Sequence, residues 1–279
     1  MDIVNIHHNN TYVNKTMPKT VMKRYLLLLL IMISASSVAQ ENHKSFENGE
    51  WFKFKIRYGV FTASYATLEV KDEILNGMPV HHIVGTGKSS GLLSVFFKVE
   101  DYYETYVDKN EIKPYRFIRK INEGGHTKDI EINFDHDNKK AQVFNKKYNK
   151  KETFNTKDNI QDMMSSFYYL RNNIDVSSLK KGDEQFVNMF FDNENYLFKL
   201  RFLGRETIKM NGNKIRCLKF RPIVQAERVF KEEESLTVWV SDDDNRMPIR
   251  IKADILVGSI NADLIAYKGL KHPLKIVID

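Results

Sequence analysis

Few residues in this chain have the types and spacing that chemistry needs, and the histidines are the first to consider. His81 and His82 are adjacent in a predicted strand, so their side chains should point to opposite faces and cannot share a metal ion. His126 and His136 are farther apart than the paired ligands of a zinc site. We therefore expect surface or turn histidines, no metal site and no cofactor.

The acidic run Asp242-Asp243-Asp244-Asn245 resembles a calcium loop only superficially. It lacks the central glycine and the downstream bidentate glutamate of an EF-hand loop. A tight turn between two strands is the favoured interpretation, because Asp and Asn tolerate turn conformations, and a loosely bound calcium ion is the alternative.

No motif of a common enzyme class is present. No serine lies in a G-x-S-x-G motif, and the Gly85-x-Gly87 pair is followed by more strand rather than by a helix that could bind phosphate. Carboxylates are plentiful, but spacing alone does not pair two of them for glycoside hydrolysis. The sequence favours a protein that is not an enzyme and has no catalytic residues.

The single cysteine and the charge balance exclude further classes. Cys217 has no partner for an intrachain disulfide, and its position in an alternating strand predicts a buried, inert thiol. Of the formal charge of +7, +3 belongs to residues 1–39, which leaves +4 for the remainder. A solvated surface of mixed charge explains this mild excess, and we expect no nucleic acid partner.

The N-terminal residues predict export. Two basic residues, Lys23 and Arg24, precede an apolar run over 25–33, and Ser37-Val38-Ala39 provides the small residues of a cleavage site. The apolar run is far shorter than the ~20 residues that span a bilayer, so we expect no transmembrane segment. The signal should cover about 22–39, with cleavage near Ala39-Gln40 and a periplasmic location in a Gram-negative source.

The stretch before this signal does not fit an export sequence. Residues 1–21 are polar and rich in asparagine, with no apolar segment of their own. The expected true start is Met22 or Met17; the alternative is a start at Met1, with residues 1–21 as part of a long n-region that is cleaved. Residues 1–39 should therefore carry neither fold nor function, and a single exported domain should extend from about 45 to 279.

One amphipathic helix is predicted over residues 158–172. Asp158 and Gln161 fit a capping box, and Asp162 follows in the first turn, where the helix dipole favours negative charge. One face of the helix carries residues spaced by three, four, seven and eleven positions: Ile160, Met163, Met164, Phe167 and Arg171. That face should lie against a sheet.

Almost everything else after residue 44 predicts strands. Residues 50–58 alternate strictly, and Asn76-Gly77 and Asn211-Gly212 are strong hairpin turns. A long aromatic strand is expected over 94–108, an exposed connection over 145–157, and a loop or single helical turn over 225–234. About a dozen strands with frequent turn signals predict an all-β, mainly antiparallel fold, a strongly curved sheet or barrel packed on the helix.

Three segments, in order, resemble the signature segments of an exported bacterial family, domain of unknown function 3108. They are Asn48-Gly49-Glu50-Trp51 with Tyr58-Gly59; Ile160-Gln161-Asp162 through Tyr169-Leu170-Arg171; and Val238-Trp239-Val240-Ser241-Asp242-Asp243 with Met247-Pro248-Ile249-Arg250 and Gly258. The resemblance implies a signal peptide and one antiparallel β domain with one main helix. It implies no catalytic residues. The architecture is also similar to that of the periplasmic lipoprotein carriers, but a fold does not fix a function.

The side chains of the helix allow two interpretations. Met163, Met164, Phe167 and Tyr168 either pack as core or line an apolar groove for a lipid or acyl chain. Arg171, within the apolar face, either extends to water in the last turn or is buried and paired with a carboxylate or with carbonyls of the sheet. These five residues are the predicted ligand-binding set.

Three functions remain open. The favoured hypothesis is a binding or accessory protein of the cell envelope that holds a hydrophobic or glycolipid-like ligand, a lipid or an envelope glycan, between helix and sheet. The alternative is a structural or interaction protein with a filled core that binds an envelope protein. The third is an enzyme acting on envelope polymers, which would need two carboxylates in one cleft. A cavity of several hundred Å³, roughly the size of ligand pockets in general, would favour the first.

Overall fold

The computed structural model describes residues 44–90, 98–223, 235–255 and 257–278. These residues contain fourteen strands and one α-helix, α1 (Met163–Asn173). The strands are β1 (Trp51–Tyr58), β2 (Phe61–Leu75), β3 (Met78–Ser89), β4 (Val99–Asp108), β5 (Pro114–Glu123), β6 (His126–Asp135), β7 (Lys140–Asn145), β8 (Lys150–Asn155), β9 (Glu184–Phe191), β10 (Glu194–Met210), β11 (Asn213–Ile223), β12 (Leu236–Ser241), β13 (Pro248–Asp254) and β14 (Ser259–Lys268).

All fourteen strands form one antiparallel sheet. Each strand pairs with its neighbour in sequence, except across the α1 connection, and β1 also pairs with β14. The order therefore begins at β8, passes through β1 and β14, and ends at β9, which leaves β8 and β9 as edges. This confirms the predicted mainly antiparallel all-β fold with one helix, and the sheet is not closed.

Turn chemistry determined much of the strand register. Asn76 and Gly77 have φ of 50° and 84°, and Asn211 and Gly212 have φ of 49° and 84°, the positive values that two-residue hairpins require. Residues 194–210 form the single long strand β10. Its register shifts between Phe202 and Gly204, and Gly204 adopts a φ of 124°, so the strand continues through a bulge.

The prediction of an exposed connection over 145–157 is wrong. A short 3₁₀ turn (Lys146–Tyr148) is followed by β8, whose outward side chains are exposed because it is an edge strand. Its lysine-rich composition is typical of a protected edge. The prediction for 225–234 and the first four residues of the predicted aromatic strand lie outside the described residues.

The helix begins later than predicted, because Asp162 rather than Asp158 is the N-cap. The Asp162 carboxylate accepts hydrogen bonds from the backbone N–H groups of Met164 (2.7 Å) and Ser165 (2.8 Å), and from the Thr105 hydroxyl of β4 (2.6 Å). The Ser165 hydroxyl accepts from the Asp162 N–H in return, which completes a capping box. Asp158 lies exposed beside Lys139.

The segment before α1 pairs with the edge strand β9. The Gln161 N–H donates to the Asn188 carbonyl, and the Phe190 N–H donates to the Gln161 carbonyl, both at 2.8 Å. Ile160 and Gln161 are therefore extended and buried rather than helical. The chain thus fixes α1 to β9 by backbone hydrogen bonds and to β4 by the cap.

α1 packs on two separate parts of the sheet. Met164 and Tyr168 belong to a core formed with strands β2 to β7, and Gly85 leaves room for Met164, whose Cε would lie 3.2 Å from a Cβ at that position. Leu170 and the following Ile174 pack instead against β9 to β12. Two faces of α1 are therefore buried, one against β2 to β7 and the other against β9 to β12.

The C-terminal turn of α1 is held by a buried ion pair. Arg171 donates from Nη1 and Nη2 to the two carboxylate oxygens of Glu50, at 2.7 and 2.8 Å, and both side chains are almost fully buried. Burial acts to lower the pKa of Arg171, but the charge and the hydrogen bonds of Glu50 outweigh it and raise that pKa. The buried, paired interpretation of Arg171 is confirmed.

Arg171 also joins segments that are distant in sequence. It donates to the carbonyl of Asn245 (2.8 Å) in the β12–β13 turn and to that of Ser45 (3.2 Å) before β1. Its guanidinium lies between 5.2 and 5.6 Å from the centroids of four aromatic rings: Phe46, Phe52, Phe167 and Tyr168. We call Arg171, Glu50, Ser45 and Asn245 the arginine hub.

Asp162 should make stability depend on pH. Burial raises the pKa of this carboxyl to about 6. Its folded pKa exceeds the unfolded value, so the folded protein binds more protons between about pH 4 and 6, and the free energy of unfolding should fall by roughly 2–3 kcal/mol as pH rises through this window. Asp162→Asn keeps a good cap and removes the titration. Urea unfolding of both proteins across this range should show the difference, and parallel curves would contradict it.

Removing either side chain of the Arg171–Glu50 ion pair should destabilise the protein. Arg171→Met leaves Glu50 buried without a counter-charge, and we expect a loss of about 3–5 kcal/mol in the free energy of unfolding. The double variant Arg171→Met/Glu50→Leu should lose less than the sum of the single variants. Arg57→Met is the control, since the Arg57–Asp263 pair is partly exposed and should contribute about 1 kcal/mol or less. Equal losses for Arg57→Met and Arg171→Met in urea unfolding would refute this account.

Candidate functional site

A cavity of about 860 Å³ lies between α1 and the strands β9 to β12. Its apolar lining comes from the helix, from the residues after it and from all four strands: Met163, Phe167, Leu170, Ile174, Val176, Met189, Phe191, Phe198, Leu200, Leu218, Phe220, Pro222, Leu236, Val238 and Val240. Its polar lining is Ser166, Arg171, Asp192, Glu194, Asn195, Tyr196 and Arg246. The volume falls within the range of small-molecule sites, about 300–1,000 Å³.

The strand side of the cavity follows from the alternation of side chains along a strand. Tyr196, Phe198 and Leu200 of β10 face the cavity, whereas Leu197 between them is exposed on the other face. Cross-strand pairs extend this apolar surface over β11 and β12, where Leu218 lies opposite Val240 and Phe220 lies opposite Val238. The apolar residues of successive strands therefore form one continuous wall.

The helix side of the cavity is a single stripe. Met163, Phe167, Leu170 and Ile174 are spaced by four, seven and eleven residues, which places them on one side of α1. Met164 and Tyr168 lie on the adjoining face, where they are buried in the core with β2 to β7. Of the five predicted ligand-binding residues, Met163, Phe167 and Arg171 line the cavity, and Met164 and Tyr168 do not.

The two ends of the cavity differ in exposure and charge. At the outer end Asp192, in the β9–β10 turn, pairs with Arg119 of β5 (2.9 Å) and Lys128 of β6 (3.1 Å), which ties this turn to the opposite half of the sheet. Glu194 and Asn195 are exposed there. The inner end is formed by Arg171 and Arg246, both buried.

The histidine prediction is wrong for His81 and His82, which are buried in β3. His81 Nδ1 lies 2.8 Å from a carboxylate oxygen of Asp72, and the two ring nitrogens of His82 lie 2.7 Å from Glu73 and Glu104. The Asn76-Gly77 hairpin places Asp72 directly opposite His81, so this pairing could have been read from the register. These residues do not line the cavity.

The remaining chemical candidates are structural. The buried Asp243 accepts hydrogen bonds from Ser241 and from the N–H groups of Asn245 and Arg246, which confirms the predicted tight turn. Cys217 is buried, and burial raises the pKa of its thiol to about 12, so it is inert as predicted. Within the described ranges, no group of three or more His, Cys, Asp or Glu residues could hold a metal ion.

Carboxylates with perturbed pKa values are not gathered in the cavity. Burial, together with the charge of Glu123, raises the pKa of Asp101 to about 6, but neither residue lines the cavity. Of the two carboxylates that line the cavity, Asp192 forms salt bridges with Arg119 and Lys128. The described part of the cavity therefore offers apolar surface with a few polar groups at its ends.

Comparisons with known proteins bear on the fold and the family. A β-barrel-like protein of domain of unknown function DUF1849 from Brucella abortus matches with a TM-score of 0.51 at 8% identity, over 81% of this chain and all of that one. A DUF1089 family protein from Pseudomonas aeruginosa matches with a TM-score of 0.31 at 9% identity, over 78% of this chain and 97% of that one. The first match supports the fold alone.

No curated protein matches this chain. None of the described helices has the length and apolar character of a membrane span.

A family model identifies the family. The model for proteins of unknown function DUF3108 matches residues 53–265, which is most of the chain. The chain therefore belongs to the DUF3108 family.

Proposed function

We propose that this protein is a binding protein that holds a hydrophobic ligand in the cavity between α1 and strands β9 to β12. The carrying observation is the cavity itself, about 860 Å³ with an almost continuous apolar lining. A space of this size with a mainly apolar lining and a few polar groups is typical of small-molecule sites. An acyl chain or another apolar group would bury its surface against this lining.

The leader sequence supports the cell envelope as the place of action. Residues 1–39 lie outside the described residues, so this part of the proposal rests on the basic, apolar and small-residue pattern of the sequence. Export to the periplasm would bring the protein to lipids and envelope glycans, either of which could supply an apolar group. N-terminal sequencing of the exported protein should give Gln40 as the first residue, and an uncut Met1 or Met22 would contradict the assignment.

The two alternatives have less support. A structural or interaction protein needs no cavity, and a filled space between α1 and β9 to β12 would have favoured it. An enzyme on envelope polymers needs two carboxylates that face one substrate, whereas Asp192 is held by Arg119 and Lys128 and Glu194 is exposed at the rim. A carrier of a hydrophobic ligand needs only an apolar cavity, such as the one between α1 and β9 to β12.

Filling the cavity should abolish ligand binding without unfolding the protein. Val238→Trp places an indole between β12 and α1, and it should weaken binding of the neutral fluorophore N-phenyl-1-naphthylamine by about tenfold or more, equal to at least about 1.4 kcal/mol. Leu197→Trp is the matched control, because Leu197 is 57% exposed on the opposite face of β10, which also lines the cavity. Fluorescence titration and circular dichroism measure binding and fold.

Two results would overturn the proposal. The first is a wild-type protein that does not bind the fluorophore after its lipids have been extracted. The second is a folded Val238→Trp protein that binds as well as the Leu197→Trp control. Val238→Ala is expected to bind at least as well as wild type, because it enlarges the cavity.

A further inference from the structure

Arg246 lies at the inner end of the cavity with unused hydrogen-bonding capacity. It is only 8% exposed, it lines the cavity, and its Nη1 donates to the Arg171 carbonyl at the end of α1. Its buried Nε has no hydrogen-bond partner among the described residues. Arg171, by contrast, uses all three of its guanidinium nitrogens.

Buried charges in folded proteins are nearly always paired. Arg246 is buried, yet no carboxylate of the described residues forms a salt bridge with it, which an anionic ligand would explain. Burial lowers the pKa of Arg246, although nearby Asp244 acts in the opposite direction, and Arg171 adds to the lowering. The charges of Asp175 and Asp243 also act to raise it, although the Asp243 carboxylate forms its hydrogen bonds with its own turn and with the Lys275 N–H.

The polarity of the cavity gives a ligand only one favourable orientation. At its outer end the charge of Asp192 is already paired with Arg119 and Lys128, and the exposed Glu194 adds an acidic side chain. Its inner end carries the under-used cation. The wall between them is apolar, and α1 extends beside it for about 15 Å, close to the thickness of one leaflet of the ~30 Å hydrocarbon core of a bilayer.

We infer that the ligand is a single-chain acyl acid whose carboxylate binds Arg246 at the inner end while its chain lies between α1 and β9 to β12. This inference rests on the proposed function and names the chemical class of its ligand. The carboxylate would accept from the part of the Arg246 guanidinium that lines the cavity and form a charge-assisted hydrogen bond, which a neutral head group cannot match. Arg246 would thereby be a ligand-binding residue that also caps α1.

The test compares three probes on the lipid-extracted protein by displacement of N-phenyl-1-naphthylamine: dodecanoate, dodecan-1-ol and acetate. Wild type should bind dodecanoate about tenfold or more tightly than dodecanol, since a hydrogen bond to a charged group exceeds a neutral one by that order. Acetate, an acid without a chain, should compete only weakly. The advantage of dodecanoate over dodecanol should shrink below about pH 5, where a carboxyl group takes up its proton.

Variants assign this preference to one side chain. Arg246→Met should remove the preference, so that dodecanoate binds no more tightly than dodecanol. Arg216→Met is the matched control, because Arg216 is exposed and pairs with Asp242 of the same turn without lining the cavity. If Arg246→Met does not fold, Arg246→Lys takes its place; it keeps the charge, lacks the planar set of guanidinium donors, and should lose several-fold in dodecanoate affinity.

The possible results distinguish the role of Arg246 from the hydrophobic-ligand function. Equal affinity of wild type for dodecanoate and dodecanol, or an unchanged dodecanoate preference in folded Arg246 variants, overturns the role of Arg246 and leaves the hydrophobic-ligand function standing. Binding of neither long-chain probe overturns the function itself. Acetate that competes as well as dodecanoate would make the inner end a site for small anions and would also overturn the acyl-acid inference.

Discussion

The fold depends on how an open sheet keeps one helix in place, and the paired charges of Arg171 and Glu50 do this. A strip of fourteen strands with two free edges has no closure of its own. The guanidinium of Arg171 joins the end of α1 to the residues before β1 and to the β12–β13 turn. Because breaking a buried ion pair is strongly unfavourable, this contact favours one position of the helix over others.

The cavity is a consequence of that fixed position. With its N-cap held by Thr105 and its C-terminal turn held by Glu50, α1 packs on β9 to β12 through Leu170 and Ile174 and leaves a cavity beside the rest of that wall. One stripe of the helix packs tightly on β2 to β7, and Gly85 allows the close approach of Met164 there. The other stripe faces the open apolar wall. The same helix therefore closes one half of the protein and leaves the other half available.

The sequence predicts the strands and the helix well, because alternation, Asn-Gly turns and a 3.6-residue period are local signals. The sequence does not show which face of α1 lines the cavity. Met163 and Met164 are adjacent and equally apolar, and only the surrounding sheet determines that Met164 packs in the core and Met163 lines the cavity. The hydrogen bond of His82 to Glu104 and the pairing of Arg171 with Glu50 join residues that are distant in sequence. The register of the Asn76-Gly77 hairpin could have paired Asp72 with His81, whereas nothing local pairs Glu50 with Arg171.

The central claim is that the space beside α1 exists to be occupied. Native mass spectrometry of the protein purified from its own envelope under gentle conditions tests this most directly. The account predicts a second species, heavier than the polypeptide by the mass of a lipid or acyl acid, that disappears after organic extraction while the fold is retained. A single species with the mass of the bare polypeptide, from preparations never exposed to detergent or solvent, would contradict it.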